Sequence, residues 1–291
     1  MKSRRFKLII STLLILVCTV ALVGCGGNSS DSTYETITLS GSSALLPLVE
    51  ISIDGYMEVD PESEISAQAG GSGTGLTQVS DGTVDIGNSD LLAETKLKED
   101  KAKELVDHKV VVQGFAVTVN KSLGIDNLTK KQIQDIFSGK ITNWKEVGGK
   151  DLEIMVIHRP SSSGTRATFV ETILEGTKEL ENDAIGATQD SNGAVTKVMT
   201  ENEGAISYLG LPYIQSETVK EKLLAVKIDG FEATKEKIVT GEYPFWSYGH
   251  MYTKGEATGL AKKFIEYIMS DENKESVEEL GYIPSSDMKI K

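Results

Sequence analysis

The chain has little cysteine and little histidine, and this excludes several kinds of site. Only two of its 291 residues are cysteines, Cys18 and Cys25, and both lie near the N-terminus. The rest of the chain therefore has no cysteine for a disulfide scaffold or a thiolate metal site. With only His108, His158 and His250, a histidine-rich metal centre is not expected either. We predict no metal and no cofactor, although sites made of carboxylates alone stay open.

Basic residues are also scarce relative to acidic ones. The chain has 30 Lys and Arg against 43 Asp and Glu, which gives a formal net charge of −13. An acidic surface disfavours nucleic acid and anionic lipid as partners, so we predict no nucleic-acid partner. Any anion site in this chain must therefore use local hydrogen-bond donors rather than a long-range positive field.

The N-terminal segment is predicted to be a lipoprotein signal peptide, residues 1–24. Basic residues come first, and an apolar run over 8–23 follows, which by length alone could also be an uncleaved membrane anchor. Residues 22–25, LVGC, resemble the bacterial lipoprotein cleavage box. We therefore expect cleavage before Cys25, lipid on that cysteine and a flexible tether over 25–33. Loss of the four basic leader residues would take the net charge to −17.

After the tether, strand-like and helix-like runs alternate along the chain. This alternation predicts an α/β fold with largely parallel sheets. Two extended runs, 110–119 and 242–251, could each cross between two domains. We expect one lobe (lobe I) to comprise residues 34–112 plus 245–291 and a second lobe (lobe II) to comprise 113–244, with a hinge at the two crossings.

Three junctions between a predicted strand and a predicted helix share hydroxyl side chains and glycine. They span residues 39–47, 69–75 and 158–166. Each places Ser or Thr hydroxyls beside the free N–H groups and positive dipole of a helix start, which suits a small oxyanion. For a single junction, helix capping by a residue such as Ser161 or Ser163 is the simpler interpretation. The recurrence of the pattern favours an anion site.

These motifs together resemble the phosphate-binding lipoproteins of high-affinity phosphate ABC importers, over the whole mature chain. The resemblance implies a two-lobed periplasmic-binding-protein fold of type II, with two mixed, largely parallel sheets flanked by helices. It implies a monomer that holds inorganic phosphate between its lobes and delivers it to a complex of two permease subunits and an ATPase. It also implies attachment to the extracytoplasmic face of the cell membrane through lipid on Cys25. The matching motifs, in family order and spacing, are 41–44, 71–73, 85–90, Arg159 with 163–165, and two motifs interpreted as structural, 135–144 and 204–208.

The resemblance also implies, residue by residue, which positions bind phosphate and that none is catalytic. Ala44 stands where some relatives carry a bulky residue, which is harmless if only its backbone N–H is used. Ser161 replaces an acidic residue that some relatives carry beside the arginine. What orients Arg159 is therefore open, and Arg166 could share its role. The implied phosphate-binding residues are Ser43, Ala44, Ser72, Asp90, Arg159, Ser163, Gly164 and Thr165.

Asp90 is expected to decide which anion binds. Phosphate at neutral pH carries at least one O–H, and a buried carboxylate can accept its proton, whereas sulfate has none. A site that forms a hydrogen bond with a ligand hydroxyl can discriminate against an analogue without that hydroxyl by a factor of about 10⁴–10⁵. The alternative interpretation is that Asp90 caps a helix.

Two other functions stay open at this stage. One is a secreted phosphatase or serine hydrolase with Ser72 or Ser163 as nucleophile. The chain has no Gly-x-Ser-x-Gly elbow with a plausible Asp-His pair after it, so we predict that it is not an enzyme. The other is the same binding fold with sulfate, molybdate or an organic phosphate as its ligand.

Overall fold

The structure, a computed structural model, describes residues 35–290; the predicted signal peptide, the predicted lipidation site Cys25 and the predicted tether lie outside the described residues. Within this part, strands and helices alternate as an α/β fold. The strands are β1 Thr36–Gly41, β2 Glu64–Ala69, β3 Ile86–Ser89, β4 Leu105–Asn120, β5 Asn127–Leu128, β6 Met155–His158, β7 Ala187–Thr188, β8 Ala205–Gly210, β9 Leu223–Ala225, β10 Lys227–Ile228, β11 Trp246–Lys254 and β12 Ile283–Pro284. The helices are α1 Leu46–Val59, α2 Ser72–Asp81, α3 Glu99–Ala102, α4 Lys130–Phe137, α5 Gly164–Thr172, α6 Asn192–Glu201, α7 Pro212–Gln215, α8 Glu217–Lys220, α9 Lys235–Val239, α10 Gly259–Ile268 and α11 Lys274–Glu279.

Ten of the strands form one mixed sheet in the order β2-β1-β3-β11-β4-β8-β6-β7, and β9 and β12 each pair with β4. Neighbouring strands are parallel at the two outer ends of this sheet and antiparallel at its centre. Strands β5 and β10 form a small separate parallel pair. The α/β fold with mixed sheets flanked by helices is confirmed, and the two predicted sheets share the strand β4.

Strand β4 is 16 residues long and changes partners along its length. Its first part pairs with β11 up to Gly114, and from Phe115 onward it pairs with β8. A Cβ atom at Gly114 would lie 2.6 Å from the Cδ1 atoms of Leu211 and Ile238, so a larger residue at the change of partner would displace the ends of these two side chains. This is the first of the two extended runs predicted to cross between domains.

The second predicted crossing begins later than expected. Strand β11 starts at Trp246, and residues 242–245 lie outside any strand. Pro244 explains the shortening, because proline has no N–H to donate to a strand neighbour. Tyr243 instead buries its ring, and its hydroxyl donates to the carbonyl oxygen of Phe115 at 2.9 Å.

Helix α4 shows how local sequence sets the bounds of a predicted helix. Thr129 caps its start: Thr129 Oγ1 accepts the N–H of Gln132 at 3.1 Å, and Gln132 Oε1 accepts the N–H of Thr129 at 2.8 Å. This reciprocal pair is a capping box. The helix ends just before Gly139, which has a φ of 79° that favours glycine. Its buried face carries Ile133, Ile136 and Phe137.

Two main hydrophobic clusters form the core. One is built mostly from residues 112–245, and its aromatic rings include Phe137, Phe169 and Tyr208 in mutual contact. The other joins residues from 37–111 to residues from 251–282. Strand β4 contributes to both, since Val111 belongs to the second cluster and Val112 to the first. The exact lobe boundaries, 34–112 plus 245–291 and 113–244, stay a prediction.

Candidate anion-binding site

The structure brings the hydroxyl-rich junctions together at the starts of α1, α2 and α5. The N–H of Gly73 in α2 donates to the carbonyl oxygen of Ser162 at 2.9 Å, which joins the second junction to the third. Arg159 Nη2 donates to Ser43 Oγ at 3.1 Å, which joins the third junction to the first. The residues predicted to bind phosphate form one buried cluster. Its members are Ser43, Ala44, Ser72, Asp90, Arg159, Ser163, Gly164 and Thr165.

Asp90 follows β3 and is held at one carboxylate oxygen by two donors. Ser42 Oγ donates to Asp90 Oδ1, and Gln113 Nε2 donates to the same oxygen at 2.7 Å. The backbone N–H of Asp90 donates to Ser72 Oγ at 2.9 Å. Asp90 caps no helix, because the short 3₁₀ helix that follows it is preceded by Leu92; the capping interpretation of Asp90 is therefore wrong.

The second carboxylate oxygen of Asp90, Oδ2, faces the start of α5. A Cβ atom at Gly164 would lie 2.5 Å from Asp90 Oδ2 and 2.2 Å from Ser72 Oγ, so the backbone of α5 approaches both groups closely. Burial raises the pKa of the Asp90 carboxyl, and hydrogen bonds from Ser42 and Gln113 and the charge of Arg159 oppose this rise. The carboxylate is thus a basic acceptor that faces the cluster with one oxygen unclaimed by Ser42 or Gln113.

Arg159 is a buried cation, 1% exposed. Its Nε donates to the carbonyl oxygen of Gln189, and its Nη2 donates to that of Asp190, both at 3.1 Å. Within the described residues, its Nη1 group has no hydrogen-bond partner and no carboxylate forms an ion pair with it. Ser161 stands where some relatives carry an acidic residue beside the arginine. In this chain the two backbone carbonyl groups orient the guanidinium instead. Burial lowers the pKa of Arg159, and the charge of Asp90 opposes this shift.

Arg166, the alternative to Arg159, is engaged elsewhere. Its Nε lies 3.0 Å from Glu181 Oε2, and its Nη2 donates to Asp183 Oδ2 at 2.8 Å. Its Nη1 donates to the carbonyl oxygen of Arg159 at 2.5 Å. Arg166 thus braces the loop that carries Arg159, and its guanidinium is committed to Glu181 and Asp183.

Ser163 directly precedes α5, and Thr165 lies in the first turn of this helix. Ser163 Oγ accepts the N–H of Arg166 at 3.1 Å, so Ser163 caps the helix as the simpler interpretation predicted. A hydroxyl that accepts this bond still has its proton to donate. Thr165 Oγ1 lies 3.5 Å from Asn192 Nδ2. Because first-turn N–H groups have no partner within the helix, this end of α5 can serve an anion.

Two tyrosine hydroxyls bind the backbone of the first junction, residues 39–47. The hydroxyl of Tyr213 donates to the carbonyl oxygen of Ser43 at 2.6 Å, and that of Tyr282 donates to the carbonyl oxygen of Ala44 at 2.5 Å. The N–H of Ala44, predicted to bind the ligand, donates here to Ser42 Oγ at 3.1 Å. In this structure the N–H of Ala44 therefore already has a hydrogen-bond partner, Ser42, within its own loop.

Sequence reasoning missed three buried residues that contact this cluster: Ser42, Gln113 and Asn192. Two of them left a signal. Gln113 is a polar residue inside the apolar run 110–119, and such a residue needs a hydrogen-bond partner when it is buried. Asn192 follows Ser191 and precedes Gly193 at the start of α6, which repeats the composition of the first three junctions.

Two negative findings also bear on function. Within residues 35–290, no cluster of three or more His, Cys, Asp or Glu side chains is arranged to hold a metal ion. In the same part of the chain, none of the helices combines the length and the apolarity that crossing a membrane requires.

Comparisons with known proteins give the family. Residues 26–272 match the PBP superfamily domain. The chain is 45% identical over 300 residues to the phosphate-binding protein PstS of Bacillus subtilis (strain 168), which covers 99% of this chain and 97% of that protein. The chain belongs to the PstS family of the PBP superfamily.

Solved structures similar to this chain agree with the PstS assignment. A Clostridium perfringens substrate-binding protein, assigned to a phosphate ABC transporter and crystallised with bound phosphate, is 30% identical with a TM-score of 0.77, covering 86% of this chain and 99% of that one. An ABC-type phosphate transport receptor from Vibrio cholerae is 26% identical with a TM-score of 0.64, covering 86% and 100%. The resemblance stated from the motifs is confirmed. PstS proteins are binding proteins, so the phosphatase and serine hydrolase alternatives are excluded.

Proposed function

We propose that this chain captures inorganic phosphate between its two lobes and delivers it to the permease of an ABC importer. The observation that supports the proposal most strongly is that a buried cation and a buried carboxylate face the same cluster without forming an ion pair with each other. Arg159 is a buried cation whose Nη1 has no partner in the described residues, and Asp90 presents one carboxylate oxygen to the same cluster. An oxyanion that also carries an O–H satisfies both, because it accepts from the guanidinium and donates to the carboxylate.

The residues predicted for each lobe already contact each other at this cluster, which supports capture by closure. Lys96 Nζ donates to the carbonyl oxygen of Ser161 at 3.0 Å, beside the bond from Gly73 to Ser162. Arg159 reaches Ser43 in the same way. Opening at the crossings near Gly114 and Pro244 would separate these pairs and admit the ligand.

The proposal places the protein outside the cytoplasmic membrane, as a monomer held by lipid on Cys25. The cleavage box at 22–25 and the names of the ABC-transporter relatives support it. The acidic net charge fits a ligand site that works by local donors. Delivery would be to two permease subunits and their ATPase.

The test is titration calorimetry on the purified protein, stripped of bound anion, with phosphate and then with sulfate. We expect tight one-to-one binding of phosphate and no heat from sulfate. Comparable binding of sulfate would make the protein a general oxyanion carrier, and no binding of phosphate would overturn the proposal.

Substitution of Gly164 by alanine should weaken phosphate binding through a steric effect. The added Cβ would lie 2.2 Å from Ser72 Oγ and 2.5 Å from Asp90 Oδ2, so α5 must withdraw from both. Overpacking of this kind costs about 1–3 kcal/mol, which corresponds to roughly 5- to 150-fold in the dissociation constant measured by calorimetry.

Gly193→Ala is the matched control for this substitution. Gly193 also lies in the first turn of a helix, α6, but its added Cβ would meet only Tyr213 Cε1, at 3.8 Å. The affinity of the Gly193→Ala variant for phosphate should stay close to that of the unsubstituted protein. Equal affinities of the two alanine variants would contradict the close approach of α5 in the bound state.

A further inference from the structure

More donors converge on the hydroxyl of Ser43 than one oxygen can serve. Ser43 Oγ receives the backbone N–H of Asn192 at 3.1 Å, Asn192 Nδ2 at 3.0 Å and Arg159 Nη2 at 3.1 Å. A hydroxyl oxygen has two lone pairs, so three donors exceed its capacity. The excess of donors over acceptors at this point indicates a place for a further acceptor.

The side chain of Asn192 is fixed with its donor group toward this point. Asn192 is fully buried, and its Oδ1 accepts the N–H of Gly210 in β8 at 3.0 Å. This bond leaves Nδ2 pointing at Ser43, with Thr165 Oγ1 also 3.5 Å away. The backbone N–H of Asn192 points at the same oxygen as the first N–H of the ten-residue helix α6.

Arg159 supplies an independent observation at the same place. Its guanidinium is buried beside Asn192, shares Ser43 Oγ with it, and keeps Nη1 without a partner in the described residues. The positive charge of Arg159 and the positive end of the α6 dipole meet at one neutral acceptor, Ser43 Oγ. No negative charge lies there to balance them among the described residues. An anion oxygen would supply that charge to both.

We propose that Asn192 is a further phosphate-binding residue, which donates its backbone N–H and its Nδ2 to an oxygen of the bound anion. The inference rests on the proposed function. If it holds, the start of α6 binds the ligand together with the other helix starts. An oxygen of the anion then accepts the hydrogen bonds that Ser43 Oγ accepts in this structure. The hydroxyl of Ser43 keeps its own proton to donate to the ligand.

Asn192→Asp tests the proposal because it keeps the shape of the side chain, replaces the Nδ2 donor by an oxygen and adds a negative charge. The new carboxylate keeps an oxygen for the N–H of Gly210 and replaces Nδ2 by a second oxygen, which would face the anion. We expect the dissociation constant for phosphate, measured by calorimetry, to rise by roughly 10- to 150-fold or more. The matched control is Asn273→Asp, a buried asparagine whose Nδ2 donates to Ser52 Oγ at 2.9 Å outside the site. Its phosphate affinity should be unchanged.

A measurement on the unsubstituted protein covers the case in which the variant does not fold. With ¹⁵N-labelled asparagine, the side-chain and backbone N–H signals of Asn192 should shift downfield when phosphate is added, while those of Asn273 stay in place. Unchanged affinity in Asn192→Asp, or Asn192 signals that do not move on saturation, would overturn the inference alone. No phosphate binding by the unsubstituted protein would overturn the proposed function and this inference with it.

Discussion

Arg159→Met is expected to abolish tight phosphate binding. The substitution keeps much of the side-chain volume and removes the only buried cation that faces Asp90 among the described residues. In the bound state the guanidinium and the anion would form a buried, hydrogen-bonded charge pair. Loss of one partner of such a pair costs about 2–5 kcal/mol, which is roughly 30-fold to several thousand-fold in affinity for phosphate. The rise in melting temperature that phosphate gives the unsubstituted protein should disappear with it.

Arg166→Met is the control for this result, because it removes a neighbouring guanidinium that is engaged by carboxylates. Glu181, whose side chain is fully buried, would lose its cationic partner. Breaking a buried pair in this way costs about 3–5 kcal/mol of stability. The ligand-free melting temperature should therefore fall further in Arg166→Met than in Arg159→Met, whereas phosphate affinity should fall further in Arg159→Met. The reverse pattern would place the anion at Arg166.

Asp90→Asn is expected to let the protein bind sulfate. The new amide oxygen can take the place of Oδ1 and accept from Ser42 and Gln113, which leaves Nδ2 to face the start of α5. A donor there suits an oxygen without a proton. Discrimination between phosphate and sulfate, about 10⁴ or more for a site that requires the ligand hydroxyl, should fall below about 100-fold in calorimetric titrations.

The same substitution should also change how stability depends on pH. Because folding raises the pKa of Asp90, its contribution to stability is present below its unfolded-state pKa and is lost as the pH rises through the folded value. The ligand-free Asp90→Asn protein should therefore gain in melting temperature relative to the unsubstituted protein as the pH rises from about 3 to about 8. Asp85→Asn is the control, since Asp85 accepts from Thr38 at an exposed position. An Asp90→Asn protein that still rejects sulfate would refute the proton-acceptor role.

The parts of the site that the sequence predicts are those carried by short, contiguous motifs. Each hydroxyl-rich junction holds its strand end, turn and helix start within ten residues, so local rules indicate its role. Ser163 illustrates this, because its capping bond to Arg166 spans three residues. The order of strands in the sheet is not local: the sequence predicts that the run 110–119 crosses between the domains, but not that β11 lies between β3 and β4.

The residues that were missed depend on that strand order. Gln113 on β4 reaches Asp90, which follows β3, across the intervening strand β11, where Ser247 lies beside Gln113. Asn192 reaches Ser43 over 149 positions of sequence separation. The orientation of Arg159 likewise depends on carbonyl groups 30 and 31 residues away, which no motif beside the arginine could indicate.

The position of β11 has a consequence for the order in which the chain can fold during synthesis. Strands β3 and β4 lie within residues 86–120, yet β11, which separates them, is made of residues 246–254. A nascent chain that ends before Trp246 therefore has two unpaired strand edges and cannot complete the sheet behind Asp90. Pairings this distant in sequence form late and slowly. The chain consequently cannot complete its fold until nearly all of it has been made, which would suit the proposed position outside the cytoplasmic membrane.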